Sequence, residues 1–256
     1  MMLAYLLKTD SLGNKQWDKE FGADDISPPD HRRIQRGITI PNNKTANDLT
    51  MTLTGGYALT GHTNSNTKRQ LATDIWTIVT DSMGNLIRSA KAGAVGGDDA
   101  FEILQHPDGS LWTAGLVYDK PNSMRYSMGL FCMPTPTNAD RDTLFYYNNR
   151  NNWYDPAKAA ALYQNEYVLV AGETDINRDT YAFESYDEYD IKKIVPWLIC
   201  VDKTGKMLWD KVWTHKKPTK ALSVAVGKKG DIWLTGFSDN ATDHKDLWVA
   251  KIWQGK

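Results

Sequence analysis

This chain has little of what announces most activities. Cysteine occurs twice in 256 residues, which excludes a disulfide scaffold. Cys132 and Cys200 sit in the apolar runs 130–133 and 198–201, so both read as buried structural thiols, and two distant cysteines do not make a zinc site. There is no basic excess. Thirty Lys and Arg stand against 31 Asp and Glu, a formal net charge of −1, which argues against a nucleic-acid binder working by bulk charge. No apolar run approaches the roughly 18 residues that a membrane helix needs. The apolar stretch 3–7 is too short for a signal peptide, and no basic residue precedes it. His-Glu-x-x-His, Gly-x-Ser-x-Gly and Walker motifs are all missing, so no catalytic residue, metal or cofactor is assigned. Helical periodicity is missing too. Its best candidate, 156–162, falls where a strand is expected.

What the chain does have is aromatic and repetitive. Ten Trp and 12 Tyr outnumber six Phe, the balance expected of half-buried rings with a polar tip exposed. An apolar strand, then Asp-x-x-Gly, then a second strand occurs at Asp10–Gly13, Asp81–Gly84 and Asp202–Gly205. Asp opens such a turn through its side chain and Gly closes it at positive φ, so these are hairpins. A second unit interleaves with the first. It is a strand expected to end at a glycine, at Gly61, Gly115, Gly172 and Gly236, each preceded by another strand at 49–54, 100–105, 157–163 and 222–226. The period holds four strands, denoted a, b, c and d. Glycine on b suits a place where two backbones approach closely.

Four antiparallel strands repeated about every 60 residues are the signature of a β-propeller. The expectation is an all-β chain with one propeller domain over 1–256, of four to five four-stranded blades. The chain opens on c and d and closes on a, b and c. The closing blade is therefore either shared by the termini or incomplete, and unsatisfied terminal strands would be open to pairing.

Residues 7–22, with Asp10, Gly13 and Trp17, and residues 56–63, with Gly56, Tyr57 and Gly61, resemble a family of bacterial propeller repeats found in large secreted or surface-attached proteins, especially of Bacteroidetes. The resemblance covers most of the chain, more weakly at 23–50 and 118–160. It implies a propeller and an extracytoplasmic location, and it implies no activity. The stretch Asp202–Trp209 also resembles a quinoprotein blade, but one such unit does not imply a bound quinone.

Loop lengths point to a working face. The a–b and most c–d turns are tight, whereas the b–c loops (62–73, 118–125, 173–196, 238–245) and d–a loops (22–47, 93–99, 148–156, 214–220) vary, and both kinds emerge on one face. Function collects on variable loops held by a rigid scaffold. The 173–196 segment interleaves carboxylates with tyrosines, including Asp175, Asp179, Tyr181, Tyr186, Asp187 and Tyr189. The 146–155 segment is dense in rings and amides, with Arg150, Trp153 and Tyr154. Tyr118 and Arg125 flank another b–c loop. Rings beside carboxylates and amides suit sugar hydroxyls or a protein surface. The expected activity is a non-catalytic binding or assembly module for a glycan or protein partner. The alternative is a glycoside hydrolase or lyase using carboxylates on the same face, with the acidic pair that such chemistry needs.

Overall fold

The computed structural model describes residues 3–22, 32–35, 38–41, 44–64, 73–93, 96–118, 126–135, 141–148, 155–176, 194–214, 219–239 and 245–252. Among them every regular element is a strand. In chain order these are β1 (Ala4–Thr9), β2 (Lys15–Phe21), β3 (Arg32–Gln35), β4 (Ile38–Pro41), β5 (Lys44–Met51), β6 (Tyr57–Asn64), β7 (Thr73–Thr80), β8 (Leu86–Ala92), β9 (Asp99–Gln105), β10 (Leu111–Tyr118), β11 (Tyr126–Met133), β12 (Thr143–Tyr147), β13 (Ala157–Tyr163), β14 (Tyr167–Asp175), β15 (Ile194–Val201), β16 (Met207–Val212), β17 (Thr219–Val226), β18 (Ile232–Asp239) and β19 (Lys245–Ile252). Three sheets hold four strands, in the orders β5-β6-β7-β8, β12-β11-β10-β9 and β13-β14-β15-β16. A fourth holds three, β17-β18-β19, and β1-β2 and β3-β4 are hairpins. The chain is all-β, and the order a, b, c, d is that of the sheets. The β3-β4 hairpin lies inside a segment expected to be loop.

The contacts gather into two compact units. One comprises Met1–Thr113 with Phe131–Leu144, the other Ala114–Leu130 with Phe145–Lys256. In the first unit, Ala4, Leu6 and Phe21 are buried with Leu59, Trp76 and Ile78, so the β1-β2 hairpin packs its apolar face on the β5–β8 sheet. In the second, Ala159, Leu169, Ala171, Leu198 and Cys200 are buried with Val224, Ile232 and Leu234. This joins the β13–β16 and β17–β19 sheets face to face. Along β1, buried Ala4 and Leu6 alternate with exposed Tyr5 and Leu7, which gives the strand one buried face, whereas β15 is buried along its whole length; burial of such surfaces drives the association.

The turns follow their local chemistry. Asp10 Oδ1 accepts from the amides of Leu12 and Asn14, Asp81 Oδ1 from those of Met83 and Asn85, and Asp202 Oδ1 from those of Thr204 and Lys206. Gly13, Gly84 and Gly205 close these turns at φ of +84°, +77° and +77°. The a–b turn after β13 has no glycine, and Gln164 and Asn165 take the positive φ instead. Not every c–d connection is tight. Residues 134–142 separate β11 from β12, so the turn-bearing end of the strands also carries one long connection.

The b-strand glycines are not strand ends. Gly61, Gly115, Gly172 and Gly236 sit inside β6, β10, β14 and β18. Three of them face an alanine on strand a: Gly61 opposite Ala46, Gly172 opposite Ala157 and Gly236 opposite Ala221. In each case the register slips just beyond that alanine, a β-bulge at Asn47, Lys158 or Leu222. A β-carbon on these glycines would collide with the carbonyl oxygens of Thr45, Pro156 and Lys220. The close backbone approach expected of glycine is therefore real, and it belongs to the bulge. On strand c the same three glycines face Trp76, Trp197 and Trp248. The recurrent tryptophans are cross-strand neighbours of the bulge.

Candidate functional site

Strand b carries its next side chain beyond the glycine toward the end from which the b–c loop leaves. In the first unit that residue is His62. Its Nδ1 lies 2.9 Å from Asp99 Oδ1, and Thr45 Oγ1 is 3.0 Å from the same nitrogen. The bulged Asn47 donates to Asp99 Oδ1 at 2.9 Å and to the Ala100 carbonyl at 2.7 Å. The β5 bulge thus aims an amide at β9, and the strands are tied at residues 47, 62 and 99. One step along, Asp48 Oδ2 accepts the Ile103 amide at 2.8 Å. Burial, with the Asp48 charge nearby, pushes Glu102 up to about 7.

Two further buried groups lie in this unit. Lys44 is 2% exposed. Its ammonium donates to the Gly22 carbonyl and stands 4.6 Å from the Trp76 ring centroid. Asp74 and Asp98 are also buried. A β-carbon on Gly93 would collide with Asp98 Oδ2 and stand 2.6 Å from Asp74 Oδ1, so both carboxylates border the same small space. Burial lowers the nearby Lys91 ammonium, against the opposing pull of Asp74.

In the second unit the residue after the glycine is Glu173, 2% exposed. Lys220 Nζ lies 3.3 Å from its Oε2 and Lys158 Nζ 3.9 Å from its Oε1. Lys158 is the bulged residue of β13, the counterpart of Asn47 on β5. The Lys220 contact is an ion pair without hydrogen-bond geometry. Beside it, Thr174 Oγ1 donates to Asp155 Oδ1 at 2.5 Å, with both residues buried. The Asp155 amide donates to the Tyr126 carbonyl at 2.8 Å. Both units use the position after the b glycine for a charged or polar tie to strand a of the following sheet.

Of the expected ligand-binding residues, two are described. Tyr118, at the end of β10, sets its ring edge-on to Tyr126, with centroids 4.7 Å apart and planes at 82°. Asp175 ends β14 opposite Ile194 and is half-buried. Arg125, Arg150, Trp153, Tyr154, Asp179, Tyr181, Tyr186, Asp187 and Tyr189 lie outside the described residues. Among the described residues no group of three or more His, Cys, Asp or Glu could hold a metal ion. None of the described helices is long and apolar enough to cross a membrane, since the described residues hold no helix. Sequence reading missed the pairs His62–Asp99, Glu173–Lys220 and Asp74–Asp98. The one available signal was a titratable residue directly after the repeated glycine.

No family model and no curated protein matches the chain. Among solved structures it is similar to a mutant apocarotenoid oxygenase of Synechocystis at 7% identity and a TM-score of 0.42, covering 83% of this chain and 50% of that one. The chain thus spans about half the length of the oxygenase. It is also similar to a GH43 endo-arabinanase from Bacillus licheniformis, at 13% identity and a TM-score of 0.35, covering 80% and 72%. A glucose dehydrogenase matches at 10% identity and a TM-score of 0.33, covering 84% and 83%.

Proposed function

We propose that the sheets are blades of a β-propeller and that the protein is a non-catalytic binding or assembly module, with a glycan or protein ligand on the side bearing the long b–c and d–a loops. The carrying observation is that His62 and Glu173, the titratable side chains directly after the b-strand glycine, are both engaged in internal ties. Groups held this way serve the scaffold and leave recognition to the loops. The loop sequences are rich in the rings, amides and carboxylates that sugars and protein surfaces engage. Resemblance to secreted repeat proteins supports an extracytoplasmic location, which cell fractionation tests directly.

A second reading has its own observation. Asp74 and Asp98 are buried and approach one space above Gly93. Two carboxyls at short separation are what a retaining glycoside hydrolase uses. One experiment separates the readings. The protein is applied to a glycan array and incubated with a polysaccharide panel, with reducing ends measured. Saturable binding without sugar release supports the module. Sugar release that disappears in Asp74→Asn and Asp98→Asn replaces it with the hydrolase.

A further inference from the structure

Four sheets contain a strand beyond c, and in three of them, β1-β2, β5–β8 and β13–β16, that strand satisfies the polar tip of an aromatic ring. Trp76 Nε1 donates to Ser89 Oγ at 3.0 Å, Trp197 Nε1 to Asp210 Oδ2 at 3.1 Å and Tyr5 Oη to Asp18 Oδ2 at 2.7 Å. The geometry is the same each time. The acceptor lies opposite the residue two places beyond the ring: Ser89 opposite Ile78, Asp210 opposite Ile199, Asp18 opposite Leu7.

Trp248 occupies this place on β19, opposite Gly236, as Trp76 and Trp197 stand opposite Gly61 and Gly172. Its sheet has no fourth strand among the described residues. Its Nε1 is buried and has no hydrogen-bond partner among the described residues. A buried donor left unmade is unfavourable, and a sheet edge with unpaired amides and carbonyls is a template for another strand. On the opposite face of β19, Leu247 is 88% and Val249 66% exposed.

We propose that the edge of β19 left unpaired among the described residues takes an antiparallel strand from another polypeptide, which sets an Asp or Ser side chain opposite Ala250 to accept from Trp248 Nε1. The chemistry of the incoming strand is read from the strands that fill this place elsewhere. They carry Arg88-Ser89, Trp209-Asp210 and Trp17-Asp18 there, an aromatic or arginine followed by the acceptor. A second copy of β19 fits less well. Its single acceptor of this kind is Asp246, and the register that sets Asp246 opposite Ala250 also sets Lys245 against Lys251. Like charges directly opposed destabilise a strand pair. Strand addition takes affinity from main-chain hydrogen bonds and specificity from alternate side chains, here the acceptor for Trp248. This inference stands apart from the loop-side reading.

The test uses the intact protein and a fluorescein-labelled peptide with the sequence of residues 206–213, followed by anisotropy. A second peptide carries Asp210→Ala, and a scrambled peptide is the control. The Asp peptide is expected to bind about tenfold tighter than the Ala peptide, as for a buried hydrogen bond to a charged acceptor. On Trp248→Phe the two peptides are expected to bind alike. Hydrogen exchange on the unmutated protein provides the second measurement, with the peptide protecting amides of β19 and leaving those of β8 and β16 unchanged. No saturable binding, equal affinity of both peptides for the unmutated protein, or protection outside β19 overturns the proposal. So does a dimer of the protein alone that Trp248→Phe dissociates, because the edge would then belong to a second copy.

Discussion

The ring of Phe145 fills the space above Gly205, so that a β-carbon on this glycine would collide with Cε1, Cζ and Cδ1 of the ring. Tyr147, two residues on, donates its hydroxyl to the Gly205 carbonyl at 2.6 Å. Trp17 stands in the same relation to Gly84, where a β-carbon would be 2.8 Å from Cζ3. The Asp81–Gly84 and Asp202–Gly205 turns thus serve twice, closing their own hairpins and receiving a ring from a preceding sheet. Arg88 takes the corresponding part for the β11–β12 connection, donating to the Pro134 carbonyl at 2.7 Å and pairing with Asp142.

The three turn glycines should therefore differ in their tolerance of alanine. All sit at positive φ, where alanine costs about 1 kcal/mol. Around Gly13 nothing lies within 4 Å of the added carbon, so Gly13→Ala should lose only that amount. Gly84→Ala and Gly205→Ala also displace a ring, which adds about 1–3 kcal/mol. Urea midpoints of the three variants check this order. Equal losses would remove the ring contact as an energetic element.

Much of this architecture was legible in the sequence because it is local. Asp10, Asp81 and Asp202 bond to amides two and four residues on, and Gly13, Gly84 and Gly205 follow three residues later, so one short window contains the whole mechanism. The bulges at Asn47, Lys158 and Leu222 were not legible. They depend on which residue of a neighbouring strand faces the glycine, and pairing register is not written in either strand alone. For the same reason the glycines read as strand ends when they are strand interiors. The ties of His62 to Asp99 and Glu173 to Lys220 join residues 37 and 47 positions apart, across different sheets, and no local spacing encodes them.

Glu173 gives the second prediction. Its carboxylate is buried, and Lys220 is the nearer of its two cations. Removing one partner of a buried pair leaves an uncompensated charge, so Lys220→Met should destabilise by about 3 kcal/mol. Lys158→Met should have a smaller effect, because Lys158 is 3.9 Å from the carboxylate against 3.3 Å for Lys220. Adding Glu173→Gln to Lys220→Met should recover part of the loss, since the stranded charge is gone. A double-mutant cycle on denaturation midpoints measures the coupling, and additive single effects would rule it out.

The two thiols permit a chemical check. Cys200 is buried, and desolvation together with the Asp202 charge pushes its thiol up to about 11. At pH 8 only about a thousandth of it is thiolate, the reactive form. A thiol reagent should leave Cys200 unmodified in the folded protein and label it in denaturant. Peptide mapping after timed labelling identifies the site, and prompt native labelling at Cys200 would contradict its place in the core.

Glu102 gives stability a pH dependence of definite sign. Its folded value is raised from 4.5 to about 7 by burial and by the Asp48 charge. A carboxyl raised on folding holds its proton more tightly in the native state. Its contribution is fully present below pH 4.5 and is lost as the pH rises through about 7. Above that, the ionised carboxylate sits half-buried beside Asp48, whose own oxygen is occupied by the Ile103 amide. Glu102→Gln keeps the shape and cannot ionise. The variant should match the parent at pH 4.5, exceed it at pH 8, and show a flatter profile between. Urea midpoints at both pH values decide the matter. Parallel profiles would mean that Glu102 ionises in the folded chain as readily as in the unfolded one.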